Sequence, residues 1–466
     1  MIRGVALTAS AVTFLYSCVL LARFDPTSSG VQFFESHAWH GRLGSAFALG
    51  VDGLSLPMVL LSTLLMLVAI LASGRVANQG DGHARGASAK LYYFLLLTLE
   101  TALLGVFLAR DWSLFYVFWE LTLIPLFLLI ERMGGVHRQR AALNFVLYTM
   151  GGSVFLLISL LTLYDASPNH SFDMTAIASG IHSLPYQTQG WIFLGLLIGF
   201  GVKMPIFPLH GWLPLAHVEA PSPVSILLSG ALLKMGAYGL LRAVQTLPEA
   251  VASWQGILAT LGLINLLYGG VLAWRQRDLK AMVAYSSISH MGVVLIGIAS
   301  LNRFGLIGAV AQMVTHGLTA GALFLLIGLL YERTHTRDIG DYSSLSSTMP
   351  RFAFFTIFTF LAAVGLPGTA GFISEFYTLV GGFALWGGWM ALLSIGMLIS
   401  AAYALRTISR LFSGPVSTKM DSYPDLTYAE MSAAGALSLA TLVLGLFPML
   451  GLSFVIATVE RLVASF

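Results

Sequence analysis

Apolar windows of about 20 residues, the length an α-helix needs to cross ~30 Å of hydrocarbon, recur along almost the entire chain. Lipid offers no partner to backbone polar groups, and no ten-residue alternation appears, so these windows predict helices rather than barrel strands. Thirteen are placed near 4–23, 51–74, 90–109, 112–130, 141–163, 190–207, 222–245, 252–273, 281–300, 304–331, 352–374, 383–405 and 429–456. The expected fold class is an all-α polytopic membrane protein forming a single transmembrane domain over 1–466. The first window lacks an Ala-x-Ala-like cleavage site and reads as a retained helix.

Composition agrees and excludes several functions. Of 466 residues 57% are hydrophobic and 10% charged, where a soluble globule would have about a quarter charged. A net charge of +3 without a dense basic run argues against nucleic acid as a partner. The single cysteine, Cys18, excludes a disulfide framework, a thiolate zinc site and a cysteine-ligated iron–sulfur cluster. No nucleotide loop, nucleophile triad or metal cluster is found. No cofactor is therefore expected on this chain, and no redox catalysis by the chain alone.

Orientation follows from lysine and arginine. The even-numbered connections carry fifteen, from Arg75, Arg85 and Lys90 after the second window to Arg406, Arg410 and Lys419 after the twelfth. The odd-numbered connections carry five, among them Arg110, Arg242 and Arg303. The positive-inside rule then predicts a cytoplasmic N-terminus and a periplasmic C-terminus in a bacterial inner membrane.

Two basic residues fall outside every loop and terminus, Lys203 and Lys234. A lysine at membrane depth costs ~2.5–3.5 kcal/mol on insertion scales, and both lie too far from a basic loop to snorkel. Glu120, Glu375, His290 and His316 also fall within apolar windows. A lone buried histidine is more often a satisfied hydrogen-bonder, but the whole set together points to a proton relay. Lysine suits a relay because burial shifts its proton affinity readily, whereas arginine stays charged. Glu120 and Lys203 are read as an ion pair in which the carboxylate governs the lysine's proton affinity. Lys234 and the histidines are read as intermediates and Glu375 as the exit.

Pro205 and Pro208 should break the helix just beyond Lys203, and Gly365, Pro367 and Gly368 should break a second one. Broken helices at corresponding positions of two halves indicate a transport site on inverted repeats. Pro205 and Pro367 are 162 residues apart, Glu120 and His290 170. Two inverted five-helix repeats are expected, over 90–245 and 252–410. The spacing Gly195 to Gly199 predicts close helix packing. Glu100 is divided evenly between a lateral link and no role. His210 or His217 is expected to be structural, and Glu219 to cap a helix or line the mouth.

The segments "FYVFWELTLIPLFLLI", "KMPIFPLHGWLP", "LLKMGAYGLLR", "DLKAMVAYSSISHMG", "YERTHTRDI" and "GLPGTAGFISEF" resemble the antiporter-like subunits of respiratory complex I, NADH-quinone oxidoreductase, over roughly residues 45–450. Glu375, where the L and N types and the Mrp antiporter subunits usually have lysine, points to the M type (mitochondrial subunit 4). So does the absence of a long lateral C-terminal helix. The resemblance implies proton translocation driven by quinone reduction elsewhere in a large complex, with other membrane subunits and the bilayer as partners. It also matches Glu120 and Lys203 to the input pair, Lys234 to the central lysine, His290 and His316 to the connecting histidines, and Glu375 to the terminal exit residue. The chain departs from the family in two ways. Its thirteen helices look like the fourteen-helix core without the first, and Leu215 stands where many relatives carry aspartate. "PSPVS" is similar to the Mrp antiporters, so an Mrp-type cation/proton antiporter subunit is one alternative. Another is a membrane subunit of a group 4 hydrogenase or of an inorganic-carbon uptake complex.

Overall fold

The computed structural model describes residues 1–74, 89–167, 170–415, 423–464 and 466; Arg75, Arg85 and Lys419 lie outside the described residues. Every expected window contains a helix. The chain runs through α1 (Ile2–Arg23), α2 (Ser55–Ala72), α3 (Ala89–Leu108), α4 (Trp112–Leu121), α5 (Leu123–Met133), α6 (Arg138–Ala166) and a short α7 (Met174–Gly180). Next come α8 (Tyr186–Lys203), α9 (Trp212–Glu219), α10 (Ser222–Leu227), α11 (Leu233–Thr246), α12 (Pro248–Ser253), α13 (Gln255–Arg275), α14 (Leu279–Ala299) and α15 (Arg303–Thr334). The last stretch has α16 (Leu345–Thr348), α17 (Pro350–Ala363), α18 (Ala370–Trp386), α19 (Ala391–Phe412), α20 (Tyr428–Leu446) and α21 (Met449–Val463).

Among the described residues eleven helical spans are long and apolar enough to cross a membrane. One of them, 370–412, has 43 residues, about twice the length needed, and turns back at Gly387, where φ is +52°. The helix α8 stops at Lys203, as the two prolines require. The Asn265 side chain holds the opened backbone there, accepting from the Phe207 N–H at 2.7 Å and donating to the Pro205 carbonyl at 3.0 Å. The second break lies between α17 and α18, with Gly365 at φ +76° and Gly368 at +92°.

One connection between the helices contains strands. The connection before α2 forms an antiparallel hairpin, β1 (Gln32–His40) and β2 (Ser45–Val51), so the second window begins in a strand and its helix only at Ser55. Gly44 turns the chain at φ +56° between the two strands.

Burial is graded. The apolar cores of α14 and α15 are 94% buried and the 222–246 span fully so, whereas α1 is only 17% buried. Glycines let the inner helices touch. A Cβ on Gly199 would stand 2.7 Å from Leu156 Cβ, so the Gly195/Gly199 surface does pack directly on α6. A Cβ on Gly236 would be 2.5 Å from the Phe200 carbonyl oxygen, which brings α11, with Lys234, against the end of α8, with Lys203.

The two faces of the bundle are tied by different contacts. On one, Asp52 receives Arg110 at 2.8 Å and Arg242 at 2.7 Å. On the other, the Glu219 carbonyl accepts from the Gly135 N–H at 2.9 Å and its carboxylate from the His137 N–H at 2.9 Å. Glu219 thus staples the α5–α6 turn to the end of α9. Isolated antiparallel bridges join Asp111 to Asp173 on the first face and Asp278 to Asp338 on the second.

Candidate functional site

Lys203 and Glu120 do not form the direct ion pair read from the sequence. Lys203 is buried and donates to the Trp119 carbonyl at 2.8 Å and to Thr122 Oγ1 at 2.9 Å, with Nζ 3.9 Å above the Trp119 ring. The carbonyl is that of Glu120's own neighbour, so the lysine docks beside the glutamate and feels its charge without touching it. Glu120 Oε1 is buried without a hydrogen-bond partner. The physical reason is local. Thr122 lies at the α4–α5 junction, where a backbone carbonyl and a hydroxyl become available and satisfy an ammonium at less cost than pulling a second charge inward.

The other four residues come together. Lys234 Nζ lies 2.7 Å from His316 Nδ1 and donates to the Ser229 carbonyl at 2.6 Å. That carbonyl belongs to a π-helical turn, Leu228–Leu232, inserted between α10 and α11, and such turns loosen the regular backbone ladder. His316 and His290 face each other with ring centroids 5.5 Å apart. His290 Nδ1 stands 3.7 Å from Glu375 Oε1 and 3.4 Å from Gln312 Nε2, and its Nε2 is 3.4 Å from the Tyr403 hydroxyl. Glu375 Oε2 is buried and unbonded. A Cβ on Gly365 would be 2.7 Å from that oxygen, so the second helix break lies directly beside the carboxylate. Buried groups thus run from Lys234 through His316 and His290 to Glu375, on helices α11, α15, α14 and α18.

Sequence reasoning missed several partners. Gln312 and Tyr403 bracket His290, and Ser374 donates to the Gln312 side-chain carbonyl. Ser229 and Ser287 share a hydrogen bond of 3.0 Å beside Lys234. Polar residues on inner-helix faces were the available signal, but uncharged ones are too common in membrane helices to single out. Asp52 was missed, and Arg242, counted as a loop charge, is 2% exposed and bonded to Asp52 through both terminal nitrogens. Burial disfavours the Asp52 carboxylate, but Arg242 and Arg110 outweigh it and hold the group well below the usual carboxylate range. Glu100 is buried with Oε1 unbonded. His210 stacks on Phe207 at 5.6 Å. Leu215 is 41% exposed and takes no part in these contacts. Among the described residues no group of three histidine, cysteine or acidic side chains is placed to hold a metal ion.

Helices interrupted at membrane depth beside buried lysine, histidine and glutamate define a polytopic membrane protein with a charged interior. The chain belongs to the NADH:quinone oxidoreductase/Mrp antiporter transmembrane family, whose model matches residues 109–400. It is 40% identical to NADH-quinone oxidoreductase subunit M of Rhodobacter capsulatus, over 100% of this chain and 91% of that one. It is 43% identical to NAD(P)H-quinone oxidoreductase chain 4 1 of Synechococcus elongatus, over 92% of this chain and 80% of that one. In structure it resembles a chain of respiratory complex I from Thermus thermophilus with bound NADH. The TM-score is 0.89 and the identity 34%, covering 99% of this chain and 95% of the other.

Proposed function

We propose that this chain is the M-type antiporter-like subunit of a respiratory NADH-quinone oxidoreductase, complex I, and moves protons through its interior while quinone is reduced in other subunits. The observation that carries the reading is the 2.7 Å contact between Lys234 Nζ and His316 Nδ1, two buried bases within hydrogen-bonding distance of each other. A purely structural lysine would be expected to face a carboxylate or to leave the membrane. His290 and Glu375 continue the line, and Glu120 and Lys203 form a separate input whose charges interact at a distance. A charge change at Glu120 alters the proton affinity of Lys203; the proton released then crosses water to Lys234, passes the histidines and leaves from Glu375.

Two inverted repeats, 90–245 and 252–410, are part of this reading. In support, the Asp111–Asp173 and Asp278–Asp338 bridges occupy opposite faces, as an inversion in the membrane plane requires. Neighbouring membrane subunits, including other antiporter-like ones, are the partners, and the bacterial inner membrane with a cytoplasmic N-terminus is the location. An Mrp-type antiporter would instead show sodium-dependent exchange. The test is proton uptake into vesicles driven by the assembled complex, with subunit levels checked by blot. Lys203→Met and Lys203→Arg should both lower pumping, the arginine because a guanidinium resists deprotonation. Parental rates in both assembled variants would sink the relay.

A further inference from the structure

Among the buried bases left over by this line, His217 and Lys280 lie toward the face that carries Glu219. His217, on α9, is 0% exposed, and neither of its ring nitrogens has a hydrogen-bond partner. Its ring lies flat on Phe324, with centroids 4.5 Å apart and planes 6° from parallel. Lys280, 3% exposed at the start of α14, donates to the Ala220 carbonyl at 2.8 Å. Ala220 closes α9 three residues after His217, so Nζ is docked at the end of the short helix that carries the histidine.

The helix α15 gives the spacing. Phe324 and His316 both belong to it, eight residues apart, which at ~1.5 Å per residue places His217 about 12 Å from His316 along the bundle. The displacement is toward Lys280. Lys280 and Lys234 both lie within electrostatic reach of His217, which in turn acts on His316. Around Lys280 the charged groups are Arg337, Asp278, Glu219 and Glu332. Stacking alone does not explain an imidazole here, because a phenylalanine would stack equally well and bury no unbonded nitrogens.

We infer that Lys280 and His217 load the buried line with protons from the Lys280 face, entering at Lys234 and His316. This rests on the relay proposed above. The neutral Lys280 amine takes a proton from water. The ammonium gives it, through water, to a free nitrogen of His217. The imidazolium then passes it, along a chain of waters across the intervening ~12 Å, to the Lys234–His316 pair. Each base returns to its neutral form, one proton has advanced, and only N–H and O–H bonds have been made or broken.

The experiment is NADH-driven proton uptake by the assembled complex in inverted membrane vesicles. His217→Phe, which keeps the stack on Phe324, should lower pumping about a hundredfold, the lower end for losing a positioned proton carrier. Lys280→His should shift the alkaline limb of the pH–rate profile to lower pH, because imidazole has an ordinary value near ~6.5 against ~10.4 for lysine. A staple at Ala220 would not move that limb. Lys234→Met is the control for the relay itself. If Lys234→Met pumps at the parental rate, the whole line falls and this inference with it. If it is inactive while His217→Phe pumps normally, only the loading route is wrong. Should His217→Phe not assemble, the Lys280→His profile decides alone, and an unchanged profile overturns the proposal.

Discussion

Two clusters of buried charge sit in the same bundle and are built on opposite terms. At one face, Asp52 is enclosed by Arg110 and Arg242, and Tyr238 and Gln245 occupy further donors of Arg242 at 2.6 Å and 2.7 Å. In the interior, Lys234, His316, His290 and Glu375 are joined by one short contact and several long ones, and His316 Nε2 and Glu375 Oε2 remain unbonded. The first cluster has a carboxylate at its centre and donors converging on it, an arrangement with one favourable protonation state. The second has bases facing bases and spare lone pairs, so several protonation states lie close together. A carboxylate met by both arginines makes a lock, even with Arg110 Nε and Arg242 Nε left unbonded, and bases facing bases make a path.

The largest effect expected from breaking this contrast is at the lock. Asp52→Asn leaves two buried guanidinium groups without their carboxylate and should destabilise the chain by about 3 to 5 kcal/mol, seen as loss of the subunit from assembled membranes. Lys234→Met should do the reverse. Pumping should fall about a hundredfold or more, as for loss of a positioned proton carrier, while thermal stability in detergent stays level or rises, since a poorly paired buried cation has been removed. A Lys234→Met protein as unstable as Asp52→Asn would erase the distinction.

Acid sharpens it further. The folded Asp52 carboxyl titrates below its ordinary value, so the unfolded chain binds that proton first as pH falls below ~4. The contribution of the lock is therefore complete above that range and drains away as pH drops through it. The stability gap between the parent and Asp52→Asn should narrow on acidification, and a gap independent of pH would mean that Asp52 is not the keystone.

Smaller effects are expected at the supports. Gly365→Ala places a methyl group against Glu375 Oε2 at a φ of +76°, at about 1 to 2 kcal/mol for the backbone alone. Pumping should fall more than assembly does. Tyr403→Phe removes the 3.4 Å contact to His290 Nε2 together with the hydroxyl's interactions with Ser400 and Ser286, and should slow pumping by a few-fold or less. A Tyr403→Phe effect as large as that of Lys234→Met would make the tyrosine a member of the path.

Much of this was legible in the residues alone. The helices follow from an arithmetic that lipid imposes, about 20 apolar residues per crossing, and each expected window contains a helix. The six interior residues stood out because a charge in an apolar run is costly wherever it ends up facing. The breaks at Pro205 and Gly365 were equally visible, since proline removes a donor and glycine alone takes a positive φ without strain.

What the residues could not supply was pairing. Glu120 and Lys203 looked like partners by charge, yet the lysine found a nearer acceptor in the Trp119 carbonyl and Thr122, which only the α4–α5 junction makes available. Arg242 and Lys280 looked like loop charges because they sit at window ends, and the fold buries both. The hairpin at 32–51 was not legible, because its strands mix apolar and polar residues without a regular alternation. Local sequence sets which groups are costly to bury. Which neighbour relieves that cost depends on contacts between helices far apart in the chain, and tertiary structure alone decides those.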